Sequence, residues 1–191
     1  HRAILECYQE EVTSSQRTER PFSIIMIDVD NFKSANDIRG HYQGDNILCE
    51  LARCLKDNTR SIDIVGRYGG DEFICLLPET SHDQGMMVAN RILTKVRERY
   101  KEDNSGITIS LGLATYLYHT DDQILLLQFA DQAMYLAKYR GGNQVYSFDR
   151  SETKDLNVCN QKLFETFLAV RTLKRFDNGQ QIVSDFGEQL K

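Results

Sequence analysis

The stretch that decides the fold is DIVGRYGGDEFICLL, residues 63–77, in which two short apolar runs flank a pair of glycines. The runs are rich in Ile, Val, Phe and Leu, which predicts two strands at 63–67 and 72–77. The glycines Gly69 and Gly70 are typical of the tight turn that joins two antiparallel strands. The segment therefore predicts a β-hairpin.

On both sides of this hairpin, helical and strand patterns alternate. Apolar residues at helical spacing predict helices at 3–18, 44–58, 82–100 and 121–140, with a short helix before Gly40. Runs rich in β-branched residues predict further strands at 22–29, 106–116 and 145–148. We therefore expect an α/β (α+β) fold, with a central mixed, mostly antiparallel five-stranded sheet flanked by helices.

The composition excludes several classes of protein. The 28 acidic and 23 basic residues give a formal net charge of −5, so we do not expect sequence-independent binding to nucleic acid. The longest apolar runs are far shorter than the roughly 20 residues of a membrane-spanning helix. We expect a cytoplasmic domain without membrane contact, and the missing initiator Met indicates a piece of a longer protein.

The cysteines indicate a reducing compartment. Their number is odd, and no C-x-x-C pair occurs among Cys7, Cys49, Cys54, Cys75 and Cys159. This pattern predicts reduced thiols rather than a disulfide framework or a thiolate metal site.

Acidic residues follow two of the predicted strands. Asp28 and Asp30 end the apolar run at 22–29, and Asp71 and Glu72 follow the paired glycines. A carboxylate at the end of a buried strand is costly unless it is compensated, and oxygen ligands without His or Cys suit Mg²⁺ or Mn²⁺. If the two strands are neighbours, Asp28 converges with Asp71 or Glu72. Asp30 or Asn31 can cap the short helix that follows, and Asp30 fits a helix cap better than a metal ligand.

These residues belong to a longer pattern, and the sequence resembles the GGDEF domains, the diguanylate cyclases. The matching segments are RYGGDEF at 67–73, DVDNFK at 28–33, Asn36-Asp37, Gly40-His41, Gly44-Asp45, Ser110-Leu111-Gly112 and Ala137-Lys138. The resemblance covers residues 2–148. We therefore expect a GGDEF domain at 1–149, followed by a C-terminal helical extension, or a linker to an absent domain, at 150–191.

The resemblance implies a fold similar to the palm of nucleotidyl cyclases and polymerases. It also implies an activity, the condensation of two GTP molecules into cyclic di-GMP with release of pyrophosphate. Each domain holds one GTP, so two domains face each other as a homodimer. Two divalent cations, Mg²⁺ or Mn²⁺, are expected at each half-site to offset the phosphate charge.

By this resemblance the metal ligands are Asp28, the backbone carbonyl of Val29, Asp71 and Glu72. Asp71 and Glu72 are the catalytic acids of the signature. Asp71 matches a position described as the proton acceptor for the attacking 3′-hydroxyl. The alternative is that water takes this proton.

The resemblance also assigns residues to GTP. The matching positions are Phe32, Lys33, Asn36, His41, Asp45 and Lys138. Asn36 and Asp45 match guanine-binding residues, and a carboxylate suits the N–H donors of guanine rather than the adenine edge. Lys33, with the amides at the start of the short helix, and Lys138 match phosphate-binding positions. For His41 the alternative is a loop histidine bonded to the backbone.

A second site is suggested by the R-x-x-D sequence from Arg60 to Asp63, which ends shortly before Gly69. By the resemblance this is an inhibitory site for the product, cyclic di-GMP, with Arg91 as a further partner. Arginine side chains and a carboxylate suit phosphates and guanine edges. The alternative is an ordinary surface ion pair.

The sequence departs from the family pattern at Gly142, where an Arg is usual, and Arg140 is a candidate to replace that Arg. The family's leading Asp-x-Leu-Thr segment is also absent. Two rivals to the cyclase hypothesis stay open. One is a catalytically weak or inactive domain that binds GTP or cyclic di-GMP as a regulatory module, and the other is a dimerisation module. The predicted helix at 156–176 either leads to another domain or packs back on the sheet.

Overall fold

The helices and strands follow one another along the chain in the predicted order. The computed structural model describes residues 2–101 and 106–148. In chain order the elements are α1 (Arg2–Thr18), β1 (Ser23–Val29), α2 (Phe32–Arg39), α3 (His41–Asp57), β2 (Ile64–Gly69), β3 (Glu72–Leu77), α4 (His82–Lys101), β4 (Ile109–Thr115), α5 (Gln123–Tyr139) and β5 (Val145–Ser147). The extension predicted at 150–191 lies outside the described residues.

The strands form one five-stranded sheet in the order β2-β3-β1-β4-β5. The pairs β2–β3, β3–β1 and β1–β4 are antiparallel, and β4–β5 is parallel. β1 is buried along its whole length in the centre of the sheet, which explains why its sequence is continuously apolar. The predicted mixed, mostly antiparallel α+β fold is confirmed.

Side chains of β1 alternate between two hydrophobic clusters, one on each face of the sheet. Ile25 and Ile27 pack with residues of α3 and α4 on one face. Ile24 and Met26 pack with residues of α1 and α5 on the other face. The sheet is therefore enclosed by two pairs of helices, and residue 28 falls on the same face as α5.

The starts of two elements differ from the predictions by three residues each. α3 begins at His41 and not at Gly44, so His41 starts a helix rather than lying in a loop. β4 begins at Ile109 instead of residue 106. The pattern leaves Asp121 or Asp122 as the cap of α5, and the side chain of Asp122 accepts hydrogen bonds from the N–H groups of Ile124 and Leu125, so Asp122 is the cap.

Cys54 and Cys75 are buried, whereas Cys49 is exposed, and the cysteines of the described region are free thiols. Burial raises the pKa of the Cys75 thiol to about 12, because the thiolate cannot be solvated there. Cys159 lies outside the described residues. Within residues 2–101 and 106–148, none of the helices combines the length and the apolar character needed to cross a membrane.

Candidate active site

The two acidic segments meet at one end of the sheet. Asp28 of β1 is the cross-strand partner of Glu72 of β3, so their side chains share a face and start about 5 Å apart. Both residues are nearly buried, with 4% and 7% of their surface exposed. The backbone adds a further link, since the N–H of Val29 donates to the carbonyl of Asp71 at 3.3 Å. The predicted convergence of Asp28 with the glycine turn is confirmed.

A positive charge from α5 lies against the first of these carboxylates. Lys138 is in the last turn of α5, and its Nζ forms an ion pair with Oδ1 of Asp28. Exposure of the two side chains is 33% for Lys138 and 6% for Asp28. The predicted phosphate-binding lysine is therefore beside the predicted metal-binding acid.

The carboxylates do not form a finished metal cage. Among the residues that the structure describes, no group of three or more His, Cys, Asp or Glu side chains is placed to hold a metal ion. The donor set nevertheless fits a hard cation, because two nearly buried carboxylates are neighbours and one of them already contacts an ammonium. Asp71, the third acid predicted for this site, lies in the half-exposed turn directly before Glu72.

Of the two residues predicted to cap α2, Asn31 holds the cap position, and the prediction is wrong for Asp30. Its carboxylate accepts hydrogen bonds from Thr108 Oγ1 and Ser110 Oγ at 2.7 Å and from the N–H of Asn143 at 2.9 Å. Asn31 holds the cap position of α2 in a left-handed conformation, without a side-chain capping bond in the described structure. Asp30 instead ties the end of β1 to β4 and to the loop after α5, and these long-range partners give no local sequence signal.

The loop after α5 has a backbone conformation at position 142 that suits the glycine found there. Gly142 has a positive φ of 72°, and a Cβ there would lie 2.9 Å from Oδ2 of Asp30. A larger residue would be strained in its backbone and crowded by Asp30. Arg140, the candidate to replace the missing Arg, stacks on the ring of Tyr146 at 4.8 Å and donates to its hydroxyl.

The helices α2 and α3 pack closely where the guanine-binding residues are predicted. A Cβ at Gly44 would lie 2.9 Å from Cγ of Asn36 and 3.2 Å from Cζ of Phe32. Glycine is needed here so that the two helices can approach. Asp45 follows at once and is exposed, as is Lys33 at the start of α2. The structure thus places Asn36 and Asp45 at a single helix–helix junction.

The R-x-x-D segment forms a turn held by its own carboxylate. Asp63 is 2% exposed, and its Oδ2 accepts from the backbone N–H of Arg60 at 2.7 Å. Arg91 donates from Nε and Nη2 to the carbonyl of Asn58, at 3.2 and 2.9 Å. The three predicted residues therefore belong to one surface region, in which the arginines are exposed and the carboxylate is turned inward.

The strand order, the acids at the β1–β3 end and the adjoining lysine together define an α+β domain of the palm-like class. The sequence model described as "Diguanylate cyclase, GGDEF domain" matches residues 1–144, and the chain belongs to this family.

Known relatives and solved structures agree with this placement. The chain is 41% identical to the protein named diguanylate cyclase DosC of Escherichia coli K12 over 142 residues, which are 72% of this chain and 31% of that protein. The chain thus spans about a third of the length of this curated relative.

Two solved structures match the fold. The active GGEEF domain of a diguanylate cyclase from Vibrio cholerae is 30% identical, with a TM-score of 0.72, and the match covers 78% of this chain and 97% of that one. A microbial GGDEF domain described by its interaction with cyclic di-GMP is 31% identical, with a TM-score of 0.66, over 76% of this chain and 91% of that one.

Proposed function

We propose that this domain is a diguanylate cyclase, which condenses two GTP molecules into cyclic di-GMP and two pyrophosphates. The observation that carries the proposal is the pairing of the nearly buried Asp28 and Glu72 across β1 and β3, with Lys138 in contact. Such a site suits a substrate with metal-bound phosphates. Membership of the GGDEF family supports the same reaction.

Divalent cations are general in this family, and the residues of this chain that would hold Mg²⁺ or Mn²⁺ are Asp28, the carbonyl of Val29, Asp71 and Glu72. When bound, two such ions neutralise phosphate charge and polarise the attacked phosphorus. Asp28 and Glu72 contribute two negative charges from rigid strands. Asp71 would add a third carboxylate from the turn between β2 and β3.

The other residues of the site orient GTP. Asn36 and Asp45, at the junction of α2 and α3, bind the Watson–Crick edge of guanine, where the carboxylate accepts from the N–H donors. Phe32, Lys33 and the first amides of α2 are expected to bind the phosphates, together with Lys138, which contacts Asp28 from α5. A helix start suits phosphate oxygens because its N–H groups point outward. His41, the first residue of α3, lies in the same region.

The reaction needs two copies of the domain. Each 3′-hydroxyl forms a bond to the α-phosphorus of the opposite GTP, the bond to pyrophosphate breaks, and one proton leaves per bond formed. One domain holds one GTP, so the active form is a homodimer with the two half-sites face to face. Asp71 accepts the proton, or water does so directly. The domain acts in the cytoplasm, without contact to nucleic acid or membrane.

The direct experiment is to incubate the protein with GTP and Mg²⁺ and to measure cyclic di-GMP and pyrophosphate. The rate per protein should rise with protein concentration, because two half-sites must meet. Binding of GTP or cyclic di-GMP without synthesis would favour the alternative hypothesis, in which the domain is a regulatory module. The observation that favours this alternative is Gly142, which stands where the family usually has an Arg. Calorimetry with a non-hydrolysable GTP analogue showing no binding would favour a dimerisation module.

Substitution of Gly44 is expected to weaken nucleotide binding without unfolding the domain. In Gly44→Ala the new methyl group displaces the side chain of Asn36, so one hydrogen bond to guanine is lost and the Kd of a GTP analogue rises roughly three- to tenfold. Calorimetry measures this change. The control is Gln43→Ala, one exposed residue earlier in α3, and an equal Kd for Gly44→Ala and the parent would contradict the assignment of Asn36.

Arg60, Asp63 and Arg91 form the proposed inhibitory site for cyclic di-GMP. Arg60→Ala is expected to raise the cyclic di-GMP concentration that halves the rate by about tenfold or more, because a charge-assisted contact to phosphate is lost. Initial rates at increasing added cyclic di-GMP measure the effect. Arg17→Ala, an exposed substitution at the end of α1, serves as control. The assignment fails if the Arg60 variant is inhibited at the same product concentration as the parent.

A further inference from the structure

Lys138 belongs to a helix that packs closely on the sheet. It lies in the last turn of α5, and α5 packs so closely on β4 that a Cβ at Gly112 would overlap the backbone of α5. The ammonium of Lys138 contacts Oδ1 of Asp28. The position of the backbone is therefore fixed, while the four-carbon side chain can still change its direction.

The ion pair answers an electrostatic need of Asp28. This carboxylate is 4% exposed and shares its face of the sheet with Glu72, its neighbour across the strands. Two nearly buried negative charges this close are unfavourable unless a cation compensates them. The ammonium of Lys138 supplies that positive charge.

Asp28 is also a ligand of the divalent cation in the proposed function. An ammonium in contact with Asp28 and a divalent cation bound to Asp28 repel each other, because two positive charges would lie beside one carboxylate. Binding of the cation must therefore release the ammonium. A released Lys138 remains next to the site, because its stem starts from α5, and its charge becomes available to an anion.

We propose that Lys138 is an exchangeable counter-ion, which occupies Asp28 in the metal-free protein and transfers to the phosphates of the nucleotide when a divalent cation arrives. This inference rests on the proposed function for the identity of the site. It makes Lys138 a positioning residue for Asp28 before it is a ligand of the substrate. It also couples the cation to the nucleotide, since each favours the state in which Lys138 has left Asp28.

The test measures Mn²⁺ binding to the nucleotide-free protein by electron paramagnetic resonance. Lys138→Met removes the competing charge and keeps the apolar stem, so the Kd for Mn²⁺ should fall about tenfold relative to the parent. Asp28→Asn should abolish binding, and Lys95→Met, an exposed substitution on α4, should leave it unchanged. Lys138→Gln provides the same comparison if the Met variant does not fold.

Thermal unfolding provides a second measurement. Without Mn²⁺, Lys138→Met should melt at a lower temperature than the parent, because Asp28 has lost its counter-ion, and added Mn²⁺ should raise its Tm more than that of the parent. An Mn²⁺ affinity that is unchanged or weaker in both Lys138 variants would overturn the proposal. Absence of Mn²⁺ binding in the parent and all variants would also overturn it. Synthesis of cyclic di-GMP by the parent is measured separately, so the counter-ion role and the cyclase activity can fail independently.

Discussion

Glu72→Gln and Asp71→Asn are expected to reduce synthesis of cyclic di-GMP by at least about a hundredfold while the domain stays folded. Each substitution keeps the size of the side chain and removes one negative charge from the proposed cation site. Glu72 is nearly buried beside Asp28, so its charge acts in a poorly solvated environment, where it attracts a cation strongly. Turnover of GTP under saturating Mg²⁺ measures the loss.

The matched control for these variants is Asp83→Asn, because Asp83 is an almost fully exposed carboxylate at the start of α4. It should retain the parental rate. Circular dichroism and thermal unfolding show whether each variant is folded. A folded Glu72→Gln protein with a turnover close to that of the parent would remove the main support for the cyclase hypothesis.

Gly112→Ala is expected to destabilise the domain by about 2–4 kcal/mol. The added Cβ would overlap the carbonyl oxygen of Ala130 and the N of Met134, and would lie 2.8 Å from Cα of Met134. These are backbone atoms of α5, so no side-chain rotation can relieve the clash. Either β4 distorts or α5 moves away from the sheet. Urea denaturation measures the change in the free energy of unfolding.

The control for Gly112 is Gly66→Ala. A Cβ at Gly66 would approach Cδ1 of Ile4 at 3.0 Å, and the end of that side chain can rotate away, so the cost should stay below about 1 kcal/mol. Equal stability of Gly112→Ala and Gly66→Ala would show that α5 is not held in close contact with β4. Because Lys138 starts from α5, Gly112→Ala should also lower any cyclase activity that remains.

The order of elements could be predicted because each of them has a strong local pattern. The hairpin around Gly69 and Gly70 follows from the turn glycines and the apolar runs, and the continuously apolar β1 follows from burial on both faces. Helix starts were less certain. Asp122 forms a cap with its own helix, so its local sequence was sufficient, whereas His41 begins a helix without such a capping side chain.

The candidate site was partly predictable. The acids near the strand ends and the family pattern identified Asp28, Asp71 and Glu72 before any coordinates. The pattern could not indicate that Asp63 is turned inward toward the N–H of Arg60, because a motif gives residue types and spacing but not the direction of a side chain. It also could not indicate that, among the described residues, no three such side chains are already placed to hold a metal ion.

The amino-acid pattern alone was enough for the class of fold, the order of the strands and helices, and the family, because these depend on periodicity, turn residues and motif spacing along the chain. Folding decided which distant residues meet. Asp30 binds Thr108, Ser110 and Asn143 instead of capping a helix, and Lys138 contacts Asp28. These contacts join segments about 80 to 110 residues apart. Such contacts depend on packing of whole elements, and no local pattern contains them.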